Sequence, residues 1–474
     1  MNSRRLPALA LGLVLAGCAS FSPDGGFGQV QQIAQDKLGK EVRIARSAND
    51  LQPIADKVAA LLKAPLTEDN AVQIALLNNR GLQAQFQQLG VSEADLVRAG
   101  EWPNPKLSLF NASTTGSNGV REYKIEQVLT FNIFSAFTLP QAVAMESRRF
   151  EQTQRAVAED VLRLAADTRK AWVQAVANNE TLRYQRQVLI AAEGGAELAE
   201  RMARSGNWNK LQQAREQGFY AEAALALAQG ELALTSARER LTRLMGLWGE
   251  QINYTLPERL PALPATAQDM PDVEKTAMAQ RLDLQAVKQE TEALAKALGL
   301  TKTTRFINVL EFGPARVQEG PRDSAYKTGY EISFELPLFD WGSAKVARAE
   351  ASYMQAVHRA AETAINARSE VREAYQGYRS RYDIARHYRD EIVPIRKRIS
   401  DENLLRYNGM LIGVFDLLAD ARAQVASVNG YIAALRDFWL AQADLDMALL
   451  GKPLITATAA DSGNAANFAT AGDH

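Results

Sequence analysis

The chain contains one cysteine and three histidines among 474 residues, and its net charge is −1. A single cysteine excludes an internal disulfide, and the balanced charge gives no reason to expect a nucleic-acid partner. His358 and His387 lie far apart in sequence and His474 is the last residue, so no metal-ligand or catalytic spacing is present. No glycine-rich phosphate loop is present either. The sequence therefore predicts no enzyme activity, no cofactor and no metal site.

Long apolar runs are also absent beyond the N-terminal stretch, which predicts no transmembrane helix. The N-terminus carries Arg4 and Arg5, an apolar stretch over residues 6–16, and then Cys18. This stretch is shorter than the ~20 residues that span a bilayer, and its pattern is that of a secretory signal. The ending Leu-Ala-Gly-Cys resembles the bacterial lipoprotein signal, so we expect a signal peptide at 1–17 and lipidation of Cys18, palmitate included. An ordinary signal peptide with a chance cysteine is the alternative.

Short sequence landmarks occur twice in the same order, about 200 residues apart, which predicts an internal duplication. We expect repeats at 66–250 and 271–452, joined by a proline-rich linker at 251–270. Residues 18–65 are expected to form a lipid-anchored N-terminal segment, and residues 453–474 a disordered tail. The landmarks are Leu82-Gln83-Ala84 with Leu284-Gln285-Ala286, Tyr123-Lys124-Ile125 with Tyr330-Glu331-Ile332, Gly206 with Gly409, and Leu244-Met245-Gly246 with Leu449-Leu450-Gly451.

Each repeat contains two very long predicted helices. Residues 141–204 lack proline, and apolar residues recur there at alternating spacings of three and four, a coiled-coil seam. The return helix has the same spacing at Ala221, Leu225, Ala228, Leu232 and Thr235. In the second repeat we expect helices over 343–407, kinked or broken at Pro394, and over 413–450. The helices alone favour a soluble antiparallel bundle.

Alternating segments change that interpretation. Residues 326–336 alternate strictly between an aromatic-rich apolar face and a charged face. About eleven residues match the ~9–11 that a tilted transmembrane strand needs, and one apolar and one polar face is typical of a strand between lipid and a wet lumen. Strands with weaker alternation are expected from Lys106, around 123–131 and over 303–312. Two half-buried hairpins packed on the helices are the alternative.

Four strands cannot close a barrel around water, and an open sheet edge in lipid leaves backbone groups unpaired. Two chains would give an eight-stranded barrel, and side chains fill the interior of a barrel of that size. Three chains give a twelve-stranded barrel with a lumen. The predicted fold class is therefore an α+β membrane protein. It is a long antiparallel α-helical coiled-coil barrel continued by a transmembrane β-barrel, with four strands per chain and twelve in a trimer.

Five segments in order resemble the TolC-type outer-membrane efflux family, in its lipoprotein branch. They are residues 66–84, 99–107, 281–286, 335–351 and 407–418. The resemblance implies a lipid-anchored homotrimer in the bacterial outer membrane that extends into the periplasm. It would be the passive exit duct of a tripartite pump for small molecules or metal ions, fed by an inner-membrane transporter and a periplasmic adaptor (membrane fusion) protein. The alternatives are the outer component of a one-step protein secretion system and a periplasmic coiled-coil structural lipoprotein.

The strand-to-helix switch of the second repeat is predicted at Pro337 and Gly342. Proline cannot donate a ladder hydrogen bond and so ends the strand, and glycine relieves the backbone before the helix. The first repeat has Thr130 and Ser135 at these positions. We therefore expect an irregular stretch over 132–140 there, with Pro140 starting the long helix.

The two helical hairpin tips, near Gly206 and Gly409, are predicted to be the periplasmic end, since glycine suits a tight helix-to-helix turn. Apolar residues around them are too numerous for a freely solvated tip. Candidate adaptor contacts are Gly206, Trp208, Tyr407, Gly409, Met410 and Leu411. Packing within one chain is the alternative.

Asp416 and Asp420 lie one turn apart on the last helix, where like charges repel slightly. The resemblance implies an acidic ring a few residues after the tip glycine, and Asp416 is the best match in position. Arg406 and Arg422 are the candidates to pair with it in a closed gate. A plain solvated pair of aspartates is the alternative.

Overall fold

A computed structural model describes residues 20–453 except 116, 118, 305–309 and 337. The predicted signal peptide, Cys18, Pro337 and all but the first residue of the predicted tail lie outside the described residues. Among the described residues, no helix combines the length and the apolarity needed to cross a membrane.

The two halves of the chain share much of their order of elements. In the first half these are α1 (Phe27–Leu38), α2 (Ala48–Leu61), α3 (Glu68–Asn78), α4 (Arg80–Ala99), β1 (Lys106–Thr115), β2 (Arg121–Asn132), α5 (Phe134–Arg204) and α6 (Lys210–Met245). In the second half they are α7 (Val273–Gln280), α8 (Leu282–Thr304), β3 (Leu310–Gly320), β4 (Lys327–Phe334), α9 (Ser343–His387), α10 (Val393–Asn408) and α11 (Val414–Leu450). From α3 and from α7 onward, each half runs short helix, longer helix, two strands and then long helices.

The chain forms two compact units. The first unit takes the residues up to Thr168, together with Glu239–Leu256 and Leu282–Asn366. It holds the sheet and a core in which Phe86, Leu241 and Met245 are fully buried. The second unit takes Arg169–Arg238, Pro257–Arg281 and the residues from Ala367 onward. Each unit therefore draws on both halves of the sequence.

Aromatic rings build the core of the second unit. The fully buried ring of Phe438 lies 5.5 Å from Tyr378 and 5.7 Å from Tyr382. The Tyr382 hydroxyl donates to the Ala265 carbonyl at 2.7 Å. This bond attaches the proline-rich linker to α9, and residues 257–270 of the linker belong to this unit.

The N-terminal segment packs against the first unit through glutamine side chains. The side-chain amides of Gln73 and Gln83 each accept a hydrogen bond from a backbone N–H of the extended residues 39–46 and donate one to a backbone carbonyl there. Gln83 Nε2, for example, donates to the Arg43 carbonyl at 2.8 Å. Further upstream, the Ser22 N–H donates to Glu93 at 2.6 Å. The Gln154 amide donates to the Gly26 carbonyl at 2.9 Å. Side chains thus satisfy a backbone segment that has no neighbouring strand.

The irregular stretch expected over residues 132–140 is wrong. Helix α5 begins at Phe134, directly after β2, because the Asn132 side chain accepts the Ser135 N–H at 3.2 Å and caps the helix start. Pro140 lies within the second turn rather than at the start. The break expected at Pro394 is confirmed, since a π-helical turn at Tyr388–Ile392 separates α9 from α10 and Pro394 lies in the first turn of α10.

The four strands form one antiparallel sheet in the order β1-β2-β3-β4. Of the strand expected over 303–312, residues 303 and 304 belong to helix α8 and residues 310–312 begin β3, whereas 305–309 lie outside the described residues. The Thr301 and Thr303 hydroxyls donate to carbonyls one turn earlier in the helix. Alternating threonines there belong to a helix end, not to a strand. Gly313 suits its position in β3, since a Cβ would lie 1.7 Å from the Leu129 carbonyl oxygen.

Candidate functional site: the sheet and the helix tips

The register of the sheet separates an apolar face from a polar one. Residues directly opposite in antiparallel strands share a face, and Phe131 is opposite Phe312, which is opposite Ile332. In the same way Leu107 is opposite Leu129. The apolar face carries Leu107, Leu109, Tyr123, Ile125, Leu129, Phe131, Leu310, Phe312, Tyr330, Ile332 and Phe334.

The opposite face of the sheet carries ion pairs. Lys106 lies 2.6 Å from Glu311, and Lys124 lies 2.7 Å from Glu126. The sheet therefore has one face fit for an apolar environment and one fit for water.

Polar residues also lie on the apolar face, both in the middle of β2 and β3 and near the β3–β4 turn. Gln127 lies opposite Arg316, and the Arg316 guanidinium stacks 4.5 Å from the centre of the Tyr326 ring. The Gln318 amide donates to the carbonyls of Arg322 and Ser324 at 2.9 and 2.8 Å. Gln127 and Arg316 therefore interrupt the apolar face at its middle, whereas Gln318 orders the turn.

Among the residues that the structure describes, both edges of the sheet are unpaired, because β1 and β4 each have one neighbour. Every residue of these two strands is exposed, with Leu109 at 67% and Tyr330 at 72%. Apolar side chains continue past β4, where Phe339 is 99% exposed and Trp341 is 61% exposed. A sheet with open edges and a bare apolar face is incomplete by itself.

The switch from β4 to α9 is described only in part, since Pro337 lies outside the described residues. Gly342 has a φ of 72° and is buried, and its N–H bonds to Asp340 at 2.8 Å. A left-handed conformation directly before a helix is one that glycine adopts at little cost.

The two hairpin tips turn by different means. At the first tip Gly206 has a φ of 80°, whereas at the second Gly409 has a φ of −79° and Met410 carries the left-handed conformation at 58°. The Leu411 N–H then bonds to the Arg406 carbonyl at 2.8 Å. Gly409 therefore does not fill the left-handed role expected of a tip glycine; the next residue does.

The tips also differ in exposure. Trp208 is half-buried and packs edge-to-face on Phe415, with ring centres 6.5 Å apart. Met410 is 93% exposed and Leu411 is 77% exposed. Trp208 thus connects the two tips within one chain, but it does not shield Met410 and Leu411 from solvent.

The two aspartates of the last helix lie in different environments. Asp416 is exposed, and its carboxylate accepts the Gly413 N–H at 3.3 Å, which caps the start of α11. Asp420 is only 8% exposed, and its Oδ2 has no hydrogen-bond partner among the described residues. Within the described chain neither arginine pairs with Asp416: Arg406 pairs with Glu402 at 3.5 Å, and Arg422 pairs with Glu216.

The ion pair between Glu216 and Arg422 is a feature that the sequence reasoning missed. Glu216 is almost fully buried, and Arg422 also stacks 4.7 Å from the centre of the Phe219 ring. Glu216 lies three residues before Phe219 and seven before Ala223, which is the buried face of α6. A carboxylate on a buried helical face was the available signal, and it predicts a buried cation as its partner.

Comparison with known proteins tests the family resemblance found in the sequence. The model of the family described as outer membrane efflux protein matches residues 71–247. The cobalt-zinc-cadmium resistance protein CzcC of Cupriavidus metallidurans is 22% identical over 308 residues, which are 64% of this chain and 70% of CzcC. The match over residues 71–247 and the similarity to CzcC both support the resemblance of this chain to the TolC-type outer-membrane efflux family. Members of this family are channels and not enzymes, so the resemblance and the prediction of no enzyme activity are both confirmed.

Solved structures of outer-membrane channels have the same fold. CusC superposes with a TM-score of 0.68 at 16% identity, over 81% of this chain and 92% of the CusC chain. The Campylobacter jejuni CmeC outer membrane channel gives 0.66 at 16% identity, over 89% and 91% of the two chains. At such identities the likeness is one of fold, and it supports the mostly helical architecture with a small antiparallel sheet.

Proposed function

We propose that the chain is the outer-membrane exit duct of a tripartite efflux system. The observation that carries the proposal is the sheet, whose apolar face and two edges are bare while its other face carries ion pairs. In lipid, bare edges must be paired with other strands. Three copies would join β4 of one to β1 of the next and enclose a twelve-stranded barrel lined by the polar face.

A matched pair of variants tests the two faces of the sheet. Ile332 and Ser333 are neighbours on opposite faces of β4. A lysine at the lipid face costs about 2–4 kcal/mol at mid-membrane, so Ile332→Lys is expected to lose outer-membrane insertion and single-channel conductance in planar bilayers. Ser333→Lys should keep both. Equal conductance of the two variants would contradict a lipid-facing Ile332, and absence of conductance in the unmodified protein would contradict the duct itself.

The lipid anchor is proposed at Cys18. Ser22 and Gly26 attach the N-terminal segment to the first unit only a few residues downstream, so acyl chains on Cys18 would tether the folded part closely to the membrane. In Cys18→Ser the acyl mass is expected to disappear from the intact protein. An unchanged mass would contradict lipidation.

The exposed tip residues are proposed to meet the helical hairpins of a periplasmic adaptor. Met410 and Leu411 are uncovered, whereas Trp208 is engaged with Phe415. A photo-crosslinking residue at position 410 should capture the adaptor in an assembled pump. The matched control is Ile190, which is also exposed but lies about four helical turns before the tip. Equal yields at the two positions would contradict docking at the tips.

We propose that Asp416 forms an acidic ring at the periplasmic entrance of the trimer. Its exposure supports this role, whereas Asp420 is buried within the chain. Three carboxylates around an axis attract cations, so Asp416→Ala is expected to change conductance and its sensitivity to divalent cations. Unchanged conductance and cation sensitivity would contradict the acidic ring.

The cargo is proposed to be small molecules or metal ions, and the relative named for cobalt, zinc and cadmium resistance supports metal ions.

A further inference from the structure

An apolar groove of about 540 Å³ lies between α5 and α8, beside the sheet. This volume is typical of sites for drug-sized molecules. Small and apolar side chains form most of its wall: Ala142, Met145, Ala293, Ala297 and Leu300. The groove is contained within the first unit, so its shape depends on that unit alone.

The groove has a direction. Helix α5 leaves the sheet and α8 approaches it, so Thr138 and Thr303 lie at the sheet end and Arg148 lies at the far end. Ten residues of helix separate Thr138 from Arg148, which is ~15 Å. Lys296 contributes a second cation, two turns before Thr303. An apolar channel therefore runs from two cations toward the foot of the sheet.

The charges at the far end are only partly neutralised. Glu151 lies 3.3 Å from Arg148. Glu292 precedes Lys296 by one turn, but no carboxylate of the described residues forms an ion pair with Lys296. A mostly apolar wall with an uncompensated ammonium matches a ligand with an apolar body and an acidic group.

The groove and the N-terminal segment lie on opposite faces of α5. Gly26 of the segment contacts Phe150 and Gln154, whereas Gln141 and Met145 line the groove. Phe150 is nine residues after Gln141, and Gln154 is nine after Met145, which is two and a half helical turns in each case. If lipid on Cys18 keeps the N-terminal segment on the outer surface of the duct, the groove opens to its interior.

We propose that this groove is a transit site for anionic amphiphiles inside the duct, just below the sheet. The position of the groove on the interior surface of the duct rests on the proposed function. The ligand class rests on the side chains that line the groove. Lys296 binds the acidic group, and the wall formed by Ala297, Leu300 and Met145 covers the apolar body. Such a site places acidic amphiphiles among the small molecules that the duct would carry.

Two dyes with the same skeleton test the ligand class. 8-Anilinonaphthalene-1-sulfonate carries a sulfonate, and N-phenyl-1-naphthylamine is its uncharged counterpart. Binding to the full-length protein in lipid nanodiscs is followed by fluorescence. Lys296→Gln should weaken the binding of the sulfonate dye by about tenfold, which is the contribution of one charge-assisted hydrogen bond. The affinity for the neutral dye should not change. Ala297→Phe should fill the groove and weaken both. Lys302→Gln, on the same helix but paired with Glu350 outside the groove, should weaken neither.

Binding unaffected by Ala297→Phe, or weakened equally by Lys302→Gln, would overturn the site. Loss of the oligomer in Ala297→Phe would also overturn it, because the groove would then be a contact between copies. The side of the wall is tested by single-channel recording. The sulfonate dye should reduce the current of the unmodified protein but not of Ala297→Phe, and dye that binds without altering the current would contradict an interior site. A protein that conducts no current fails the proposed function first, so the two failures are distinguishable.

Discussion

Helices α5 and α6 carry apolar seams of the same spacing in opposite environments. In α5, Val157, Val161 and Ala175 are buried. In α6 every residue of the seam, Ala221, Leu225, Ala228, Leu232 and Thr235, is exposed, with Leu232 at 69%. The β1 and β4 edges repeat this contrast with the paired strands β2 and β3. A regular apolar face shows that a partner exists, and only the fold shows whether the same chain supplies it.

The largest expected effect separates the two seams. Val161→Asp buries an unpaired carboxylate and should destabilise the fold by at least about 3 kcal/mol. Leu225→Asp places the same group on an exposed seam and should leave the monomer fold intact while weakening assembly. Chemical denaturation checks the first and mass in detergent the second. If both variants lose the fold equally, the contrast between the seams is wrong.

A second test compares buried and exposed charges. Arg281 is 1% exposed, lies 2.8 Å from Glu370 and donates to the Ala448 carbonyl at 3.3 Å. Removing one partner of a buried pair costs about 3–5 kcal/mol, so Arg281→Met should lower the free energy of unfolding by that amount. Adding Glu370→Gln should restore part of it. For the exposed pair Arg201–Glu197, Arg201→Met should change stability by less than about 0.5 kcal/mol.

The two tips provide a third and smaller contrast. Gly206→Ala forces an alanine into a left-handed conformation and should cost about 1–2 kcal/mol. Gly409→Ala meets φ −79° and no contact closer than 3.5 Å, so the change in unfolding free energy should be within about 0.5 kcal/mol. Thermal unfolding of both variants measures the difference, and equal losses would contradict the turn geometry.

The smallest expected effect concerns pH. Burial raises the pKa of the Asp446 carboxyl, and Arg169 opposes the shift. Because the folded-state pKa lies above the unfolded value of about 3.9, the stabilising contribution is complete below that pH and is lost as the pH rises through the folded-state pKa. Asp446→Asn should therefore stabilise the protein at pH 7 by less than about 1 kcal/mol, since the side chain is half-exposed. The gain should vanish below about pH 4, and a gain that grows toward low pH would contradict it.

Much of the fold follows from periodicity alone. The order of helices and strands in each half could be predicted, as could the interruption of the helix near Pro394 and the alternating faces of β4. The start of α5 could not, because the Asn132 cap outweighs the proline signal. The end of α8 could not either, since residues 303 and 304 of the predicted strand belong to that helix.

The candidate sites were less predictable because their geometry depends on tertiary packing. Sequence spacing placed Asp416 and Asp420 together, but helix packing buries only Asp420. The left-handed residue of the second tip is Met410 and not its glycine neighbour. The sequence can identify candidate site residues by their position, but their burial and backbone conformation in the fold determine which groups they can contact.

The central claim is that the open sheet is completed by other copies of the same chain. Native mass spectrometry of the full-length protein, extracted in mild detergent, tests it most directly. We expect a complex of three chains, each close to the 52.0 kDa of the sequence after allowance for processing and lipid. A complex that remains a single chain in detergent, with the unmodified sheet intact, would contradict it.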